Sequence, residues 1–278
     1  MSPALHTVRE YCLHLLEEGS LEAKLLAPRS VTGGPLCDDE PGTAALFDVP
    51  AREAGLLLRG GRGERLPKLH ELRDPHACRV TLARFAHHEL CAIELFAWAL
   101  LAFPHLPRAL RRGLLIALGE EQQHLRLYLD RLSALGGGIE EGDCSDYLWR
   151  GIRGVTTSAH PEAAFLSAVG LTFEQANLDH SLLYADAFRR AGDDESAAVM
   201  QRVHDDEIGH VALAVRWLPR LVGSASDVEA YESSVPFPLS AARAKGRHFC
   251  TDARRKAGMS DAFVRHVEAA RPSHQMRG

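Results

Sequence analysis

The sequence predicts an all-α protein with a four-helix bundle, built from two antiparallel helix hairpins joined by one long crossover. Four long segments between residues 76 and 222 carry apolar residues at the spacing of amphipathic helices. Glycine and proline divide these segments into two pairs with tight turns. Strand-like alternation of apolar and polar residues is almost absent. Together these observations favour a helix bundle.

Residues 1–75 are predicted to form an N-terminal helix followed by an irregular wrapping arm. Residues 4–18 fit one amphipathic helix. Its apolar face consists of Leu5, Val8, Cys12 and Leu15. Glycine and proline punctuate residues 27–75 so densely that no long helix is expected there.

The first hairpin of the predicted bundle, residues 76–222, contains two helices with identifiable ends. The segment ACRVTLARFAHHELCAIELFAWALLAF forms a helix that ends before Pro104. Pro107 suits the first turn of the next helix, because a first turn leaves its amide hydrogens unused. That helix ends at the glycines of positions 136–138.

The second hairpin follows a linker that contains Trp149. Its first helix ends at Gly192, and Asp193 can cap the next helix, which is predicted to run to Pro219. Residues 223–278 are predicted to form a C-terminal extension packed on the bundle, with a short helix near its end. The basic residues of this extension are expected to be solvated surface: Arg243, Lys245, Arg247, Arg254, Arg255 and Lys256.

Composition narrows the class of protein. A net charge of −5 provides no bulk attraction to nucleic acid or anionic membrane, so nucleic-acid binding is not expected, although charge alone does not exclude it. The start has no secretory signal pattern, and the longest apolar run is interrupted by Glu94 and too short to span a bilayer comfortably. The six cysteines show no C-x-x-C spacing. We expect a cytoplasmic protein with reduced thiols.

The pattern Glu-x-x-His occurs on the second helix of each hairpin. The two copies are Glu121 with His124 and Glu207 with His210. Residues three apart share one helix face, so each copy forms a two-pronged ligand set. Each copy alone is a weak signal, because a chain with 15 histidines and 37 acidic residues can contain such a match by chance.

A carboxylate on the first helix of each hairpin strengthens this signal. Glu89 precedes Glu121 by 32 residues, and Glu174 precedes Glu207 by 33. An antiparallel hairpin brings residues equidistant from its turn to the same height, so each pair is predicted to lie level. If the hairpins dock face to face, four carboxylates and two imidazoles converge. Helix bundles build dinuclear metal sites from this set of ligands.

The residue types suit two divalent cations. Four carboxylates offset their charge, and without metal the carboxylates would carry a large desolvation and repulsion cost. Imidazole and carboxylate together suit iron or manganese better than magnesium or calcium. Each ligand histidine needs an acceptor for its second ring nitrogen. We expect Asp206 to reach His124 and Glu120 to reach His210 on the opposite helix.

The residues themselves leave alternatives open. The acidic residues can be charged faces of solvated helices. Glu94 competes with Glu89 as the ligand of its helix, but it lies about 140° round the helix from Glu89 and is closer to the angular position of His87, so both can belong to a separate polar stripe. Residues beside the ligands form either a substrate pocket or plain core: Phe85, Ile93, Phe96, Ala117, Gly170 and Leu178. Asn177, which also belongs to the possible pocket, lies on the predicted metal face, where it can alter the pocket or donate a hydrogen bond.

These residues resemble the ferritin-like di-iron carboxylate superfamily. The stretches AHHELCAIEL at 86–95, E-x-x-H at 121 and DEIGHVA at 206–212 are similar to an uncharacterised bacterial family of ferritin-like proteins, domain of unknown function 455. That family is distantly similar to the di-iron hydroxylase that modifies isopentenyl-adenosine in tRNA. The resemblance covers residue 60 to the C terminus and implies the fold but no substrate. The metal ligands that it implies are Glu89, Glu121, His124, Glu174, Glu207 and His210.

The function expected from this set is O2-dependent oxidation by a di-iron oxidase or hydroxylase. The cofactor is expected to be two iron ions, with a Mn/Fe or a di-manganese site as alternatives, and O2 as co-substrate. A small-molecule substrate of unidentified structure and an external electron donor are the expected partners, because the chain shows no flavin or iron–sulfur motif. A homodimer is one expected assembly. The alternatives are metal handling, as in ferroxidase activity, iron storage or peroxide scavenging, and a non-catalytic ferritin-like protein.

Overall fold

A computed structural model describes residues 5–61 and 65–271 of the chain. The remaining parts of the predicted N-terminal and C-terminal segments, residues 1–4, 62–64 and 272–278, lie outside the described residues. Within the described part, the chain forms helices, loops and three isolated bridges, and no strand of a sheet. The predicted all-α class is therefore confirmed.

The chain divides into two compact units, Met1–Trp149 and Arg150–Gly278. The boundary falls between the two predicted hairpins, so each unit contains one hairpin. Packing of the two hairpins into a single four-helix bundle stays a prediction. The helices of the first unit are α1 (Val8–Glu17), α2 (Leu21–Lys24), α3 (Pro75–Ala102) and α4 (Arg108–Ala134), and α5 (Tyr147–Gly151) crosses the boundary.

The N-terminal helix α1 starts three residues after the described chain begins. Thr7 caps it: its hydroxyl accepts from the Glu10 amide at 3.1 Å, and the Glu10 carboxylate accepts from the Thr7 amide at 3.0 Å. This reciprocal pair satisfies two amides that a helix start leaves free. The prediction that this helix covers residues 4–18 is wrong at its start, because residues 5–7 are not helical and Leu5 precedes α1. The four residues of the predicted apolar face are nevertheless buried, and α1 packs on α3.

Between α2 and α3 the described residues form no α-helix, as the density of glycine and proline predicts. Two short 3-10 helices, Ala54–Leu56 and Leu69–Arg73, are the regular elements of this arm. The arm nevertheless lies against the hairpin. Trp98 of α3 donates to the Phe47 carbonyl at 3.1 Å. The irregular backbone of the arm is therefore held by polar contacts with the hairpin rather than by the hydrogen-bond ladder of a β-sheet.

Helices α3 and α4 pack against each other as an antiparallel hairpin. The Asp74 carboxylate accepts from the Ala77 amide at 3.0 Å at the start of α3. Pro107 lies immediately before α4 rather than within its first turn. In length and composition α3 could cross a membrane, but 89% of its most apolar window is buried inside the protein, as in the core helix of a globular protein.

The second unit contains α6 (Pro161–Ala168), α7 (Glu174–Ala191), α8 (Asp194–Val222), α9 (Asp227–Ser234), α10 (Thr251–Lys256) and α11 (Asp261–Ala269). The helical pattern of residues 161–191 predicts one continuous helix, but a π-helical turn, Val169–Phe173, separates α6 from α7. Gly192 ends α7 with φ +86°. Asp193 caps α8 by accepting from the Ser196 amide at 2.9 Å.

The prediction that α8 ends at Pro219 is wrong by three residues. The helix continues to Val222 and ends at Gly223, where φ is +69°. Proline lacks an amide hydrogen but keeps its carbonyl, and the Pro219 carbonyl accepts from the Ser224 amide at 2.9 Å. Glycine at a positive φ then ends the helix without a steric cost.

The C-terminal helices pack on the hairpin of the second unit, with α9 and α10 against α8 and α10 also against α7. The expectation that Arg254 is solvated surface is wrong. Arg254 is fully buried and forms a two-pronged ion pair with Asp179 of α7, at 2.8 and 2.9 Å. Asp179 also accepts from the amides of Gly246 and Cys250. A buried carboxylate needs such partners, so this segment is tied to α7.

Candidate metal-binding residues

The first candidate ligand cluster lies inside the hairpin of α3 and α4. It comprises Glu89 of α3 with Glu121 and His124 of α4, each at most 4% exposed. Each of the three offers one ligand atom within 4.8 Å of the other two. Nδ1 of His124 lies 3.4 Å from Oε2 of Glu121. The hairpin thus places Glu89 level with Glu121.

The second cluster lies inside the hairpin of the second unit and has the same composition. Glu174 is the first residue of α7, and Glu207 and His210 lie on α8. All three are buried, and one ligand atom of each lies within 4.8 Å of the others. Nδ1 of His210 lies 3.1 Å from Oε2 of Glu207. In both clusters it is therefore Nδ1 that faces the carboxylate of the same Glu-x-x-His.

Each cluster is chemically suited to a divalent transition-metal ion. Metal–ligand bonds are about 2 Å long, so the ligand atoms around one ion lie about 3–4 Å apart. Atoms already within 4.8 Å of one another need only a small adjustment to reach that geometry. Two buried carboxylates side by side repel each other, and a bound cation would convert that repulsion into attraction.

Asn177 lies one turn after Glu174 and contacts the second cluster. Its side-chain Nδ2 donates to Oε1 of Glu207 at 3.0 Å. The other oxygen of Glu207 faces His210, so the two oxygens of this carboxylate have different partners. A carboxylate held in this way has one orientation, which is what a metal ligand requires.

Comparison with known proteins identifies the family. Residues 15–265 match the model of the family described as Protein of unknown function (DUF455). The chain belongs to this family. The match includes both clusters, whereas no curated protein and no solved structure matches the chain. The relation of this DUF455 chain to ferritin-like proteins stays a prediction.

Glu94, the alternative ligand on α3, lies in a different environment. It is fully buried, and Arg52 donates to its two oxygens at 3.0 and 2.7 Å. Lys24 Nζ lies 3.1 Å from one of these oxygens, and Trp149 Nε1 donates to the other at 3.2 Å. Two protein cations therefore offset the charge of this carboxylate, as burial requires.

The side chain of His87 belongs to the same network, as its angular position relative to Glu94 predicts. Its Nδ1 accepts from Arg52 at 3.1 Å, and its Nε2 donates to the Ser145 carbonyl at 2.9 Å. Cys91 lies beside it, and burial raises the pKa of this thiol to about 11, so it stays protonated at neutral pH. These residues form an ion network rather than a second set of metal ligands.

Sequence reasoning did not find the cations of this network. Lys24 and Arg52 lie 70 and 42 residues before Glu94. A glutamate in an apolar helix signals that some partner is needed. No local pattern says which of the 32 lysine and arginine residues supplies it.

The predicted partners of the ligand histidines lie beside the clusters in sequence. Asp206 accepts from Arg202 at 2.7 Å within α8. Glu120 precedes Glu121 on α4 and is half-buried. The bonds expected from Asp206 to His124 and from Glu120 to His210 stay predictions.

The residues proposed to line a pocket are mostly buried: Ile93, Phe96, Ala117, Gly170 and Leu178 are buried, and Phe85 and Asn177 are half-buried. The ring of Phe85 lies 6.0 Å from that of Tyr128. One part of the pocket prediction needs correction. A pocket at Gly170 would need open space beside this small residue, but a Cβ added there would lie 2.5 Å from the Cβ of Ala214. Its small size lets α8 approach closely and leaves no space.

Proposed function

We propose that the two clusters join into one dinuclear site, and that this chain is a di-iron oxidase or hydroxylase that acts on an organic substrate. One observation carries the proposal. Each hairpin separately gathers a glutamate from its first helix and a Glu-x-x-His from its second, all buried and within 4.8 Å of one another. Bundles of this type place two such sets around a pair of metal ions.

Carboxylates and imidazoles of the protein would bind the ions together. Glu89, Glu121, Glu174 and Glu207 together carry four negative charges, which match two divalent cations. His124 and His210 would bind through Nδ1, the nitrogen that already faces a carboxylate oxygen in each cluster.

Asn177 would keep Glu207 in its binding orientation through the 3.0 Å bond to Oε1. A pair of bound iron ions would supply O2-dependent oxidation chemistry, for which protein side chains have no equivalent. The buried apolar residues beside the ligands, Ile93, Phe96 and Leu178, would exclude water from that reaction.

Metal content and magnetic coupling test the dinuclear site. The full chain would be reloaded anaerobically with Fe(II), and metal per chain measured by mass spectrometry for wild type, Glu121→Ala and Glu207→Ala. The expected wild-type content is about two ions per chain, because the ligand set is built for a pair. Either substitution should lower the occupancy of both ions, because a joined site shares its carboxylates.

Glu94→Gln is the matched control, since it alters a buried glutamate of α3 that is paired with protein cations. It should keep about two ions per chain if the protein is folded by circular dichroism. Loss of only one ion in each cluster variant, without magnetic coupling in the Mn(II)-loaded wild type, would mean two separate mononuclear sites. A folded wild type without metal would contradict the proposal altogether.

Oxygen uptake tests the reaction class. Wild type loaded anaerobically with Fe(II) should consume O2 faster in the presence of an oxidisable substrate, whereas Glu121→Ala should not. Metal binding without substrate-dependent uptake across a broad panel of small molecules would argue against an oxidase. It would favour metal handling, which a ferroxidase assay and native mass spectrometry would then examine.

A further inference from the structure

The π-helical turn of the second unit ends at a candidate metal ligand. The turn spans Val169–Phe173, and the amide of Glu174 donates to the Val169 carbonyl five residues earlier. The ligand residue therefore takes part in the widened turn itself. An α-helix turns by about 100° per residue, so one inserted residue rotates everything that follows by about that angle. Whether Glu174 faces Glu207 depends on this turn.

A π turn is rarely stable by itself and needs neighbours that hold it. The Thr172 hydroxyl donates to the Ser167 carbonyl at 2.8 Å, again across five residues. It also lies 2.8 Å from the Tyr231 hydroxyl. Because the single hydroxyl proton of Thr172 is used on Ser167, the bond between the hydroxyls runs from Tyr231 to Thr172.

The donor, Tyr231, is well placed for this role. It lies on α9 in the C-terminal extension, is fully buried, and its ring packs against that of Phe263 at 5.2 Å. Burial raises the pKa of Tyr231 above its usual value, so the phenol stays protonated and keeps its proton for Thr172. Thr172 and Ser167 are also fully buried, so these bonds are shielded from bulk solvent.

The opposite side of the turn is held by packing. A Cβ on Gly170 would lie 2.5 Å from the Cβ of Ala214, so α8 lies directly against the turn. Contact on one side and hydrogen bonds on the other leave the turn little freedom to revert to a regular α-helix. The same helix α8 carries Glu207 and His210, which ties the turn to the rest of the second cluster.

We propose that Thr172 and Tyr231 are positioning residues, which stabilise the π turn and thereby direct Glu174 into the second ligand cluster. The inference rests on the proposed dinuclear site. It assigns the C-terminal extension a role in metal binding, although none of the six proposed ligands lies in the extension. Tyr231 would act through Thr172 and would not touch the metal.

The test compares Mn(II) binding to the full chain by anaerobic titration calorimetry in wild type, Thr172→Val and Tyr231→Phe. Removing either hydroxyl should weaken binding of at least one of two ions by tenfold or more, because groups that orient a ligand typically contribute about 10–100-fold to metal affinity. Combining the two substitutions should weaken Mn(II) binding no further than Thr172→Val alone. Both substitutions interrupt the same series of hydrogen bonds, from Tyr231 through Thr172 to Ser167.

Two controls separate positioning from general destabilisation. Thr172→Ser keeps the hydroxyl and should bind Mn(II) like wild type. Thr81→Val removes an equally buried hydroxyl from α3, where Thr81 donates to the Ala77 carbonyl at 2.8 Å in an ordinary α turn. It should leave Mn(II) affinity unchanged. Hydrogen exchange of residues 167–176 should accelerate in Tyr231→Phe but not in Thr81→Val.

The outcomes distinguish this inference from the proposed function. Two Mn(II) ions bound equally well by wild type, Thr172→Val and Tyr231→Phe would overturn the positioning role and leave the dinuclear site standing. A folded wild type that binds no Mn(II) and no Fe(II) would overturn both. If Thr172→Val does not fold, Tyr231→Phe decides the question, because it deletes a single oxygen atom.

Discussion

Glu89 and Glu94 lie five residues apart on α3 and are both buried, yet different kinds of side chain lie beside them. Lys24 and Arg52 lie beside Glu94 and offset its charge. The groups at Glu89 include a second carboxylate, Glu121, and the imidazole of His124. The difference shows two ways in which one helix can accommodate a buried glutamate. Cationic side chains of the protein can offset its charge, or the glutamate can belong to a site suited to binding a metal cation.

The largest expected effect is at Glu94. Glu94→Gln leaves the buried cations Lys24 and Arg52 without their carboxylate, and removing one partner of a buried ion pair typically costs about 3–5 kcal/mol. We expect the metal-free protein to lose about that much of its free energy of unfolding, measured by urea denaturation. A loss below about 1 kcal/mol would mean that this network behaves like a surface pair. Adding Lys24→Met to Glu94→Gln should recover part of the loss.

Metal bound at the cluster that contains Glu89 and Glu121 should stabilise the folded protein by a similar free energy. A ligand whose free concentration is about 1,000 times its dissociation constant stabilises a folded protein by about 4 kcal/mol. We expect Fe(II) or Mn(II) to raise the melting temperature of wild type and a chelator to reverse the shift. Glu121→Gln should lose most of this shift, whereas Glu94→Gln should start lower and keep it. Equal metal-dependent shifts of the melting temperature in the two variants would contradict the distinction between Glu94 and the glutamates of the metal cluster.

Without metal, Glu121→Gln should have a small effect of the opposite sign to that of Glu94→Gln. Replacing one of two neighbouring buried carboxylates by an amide removes repulsion and desolvation cost, so stability should stay constant or rise by about 1 kcal/mol. Urea denaturation in the presence of a chelator measures it. A loss of several kcal/mol would show that the metal-free cluster is already satisfied by protein partners.

The smallest expected effect is a pH dependence at Lys24. Burial lowers the pKa of Lys24, against the opposing attraction of Glu94. The unfolded chain then binds this proton more tightly than the folded chain, so the contribution of Lys24 to stability rises with pH below its usual value of 10.5. The difference in unfolding free energy between wild type and Lys24→Met should therefore increase with pH in that window, by at most about 1.4 kcal/mol per pH unit. A difference that falls with pH would show that Glu94 dominates instead.

Much of the helical organisation could be predicted, because it depends on local patterns. The apolar periodicity of α3 and α4, the cap at Asp193 and the stop at Gly192 each involve neighbouring residues whose preferences act within one turn. The nearly equal intervals, 32 residues from Glu89 to Glu121 and 33 from Glu174 to Glu207, likewise follow from helix rise and turn length. The structure accordingly places each glutamate beside the Glu-x-x-His of its own hairpin.

The π turn could not be predicted, because its cause is not local. Residues 161–191 follow a helical pattern throughout, and the widening at Val169–Phe173 accompanies contacts with Tyr231 and Ala214, which lie more than 40 residues away. The burial of Arg254 has the same origin. A basic residue in a polar stretch predicts surface, and only the position of Asp179 on α7 overrides that preference.

By itself, then, the sequence determined where the long helices α3, α4, α7 and α8 lie, where most of them end, and which six side chains fit one metal-ligand pattern, because helix periodicity and capping are encoded within a few residues. The tertiary structure decided how each buried charge is offset and how α7 is rotated relative to α6. These properties depend on residues such as Arg52, Tyr231 and Arg254, which reach their partners only after the chain has folded. The free energy of a buried charge depends on the charged and polar groups that lie near it in the folded protein. The position of a residue along the chain does not specify those groups.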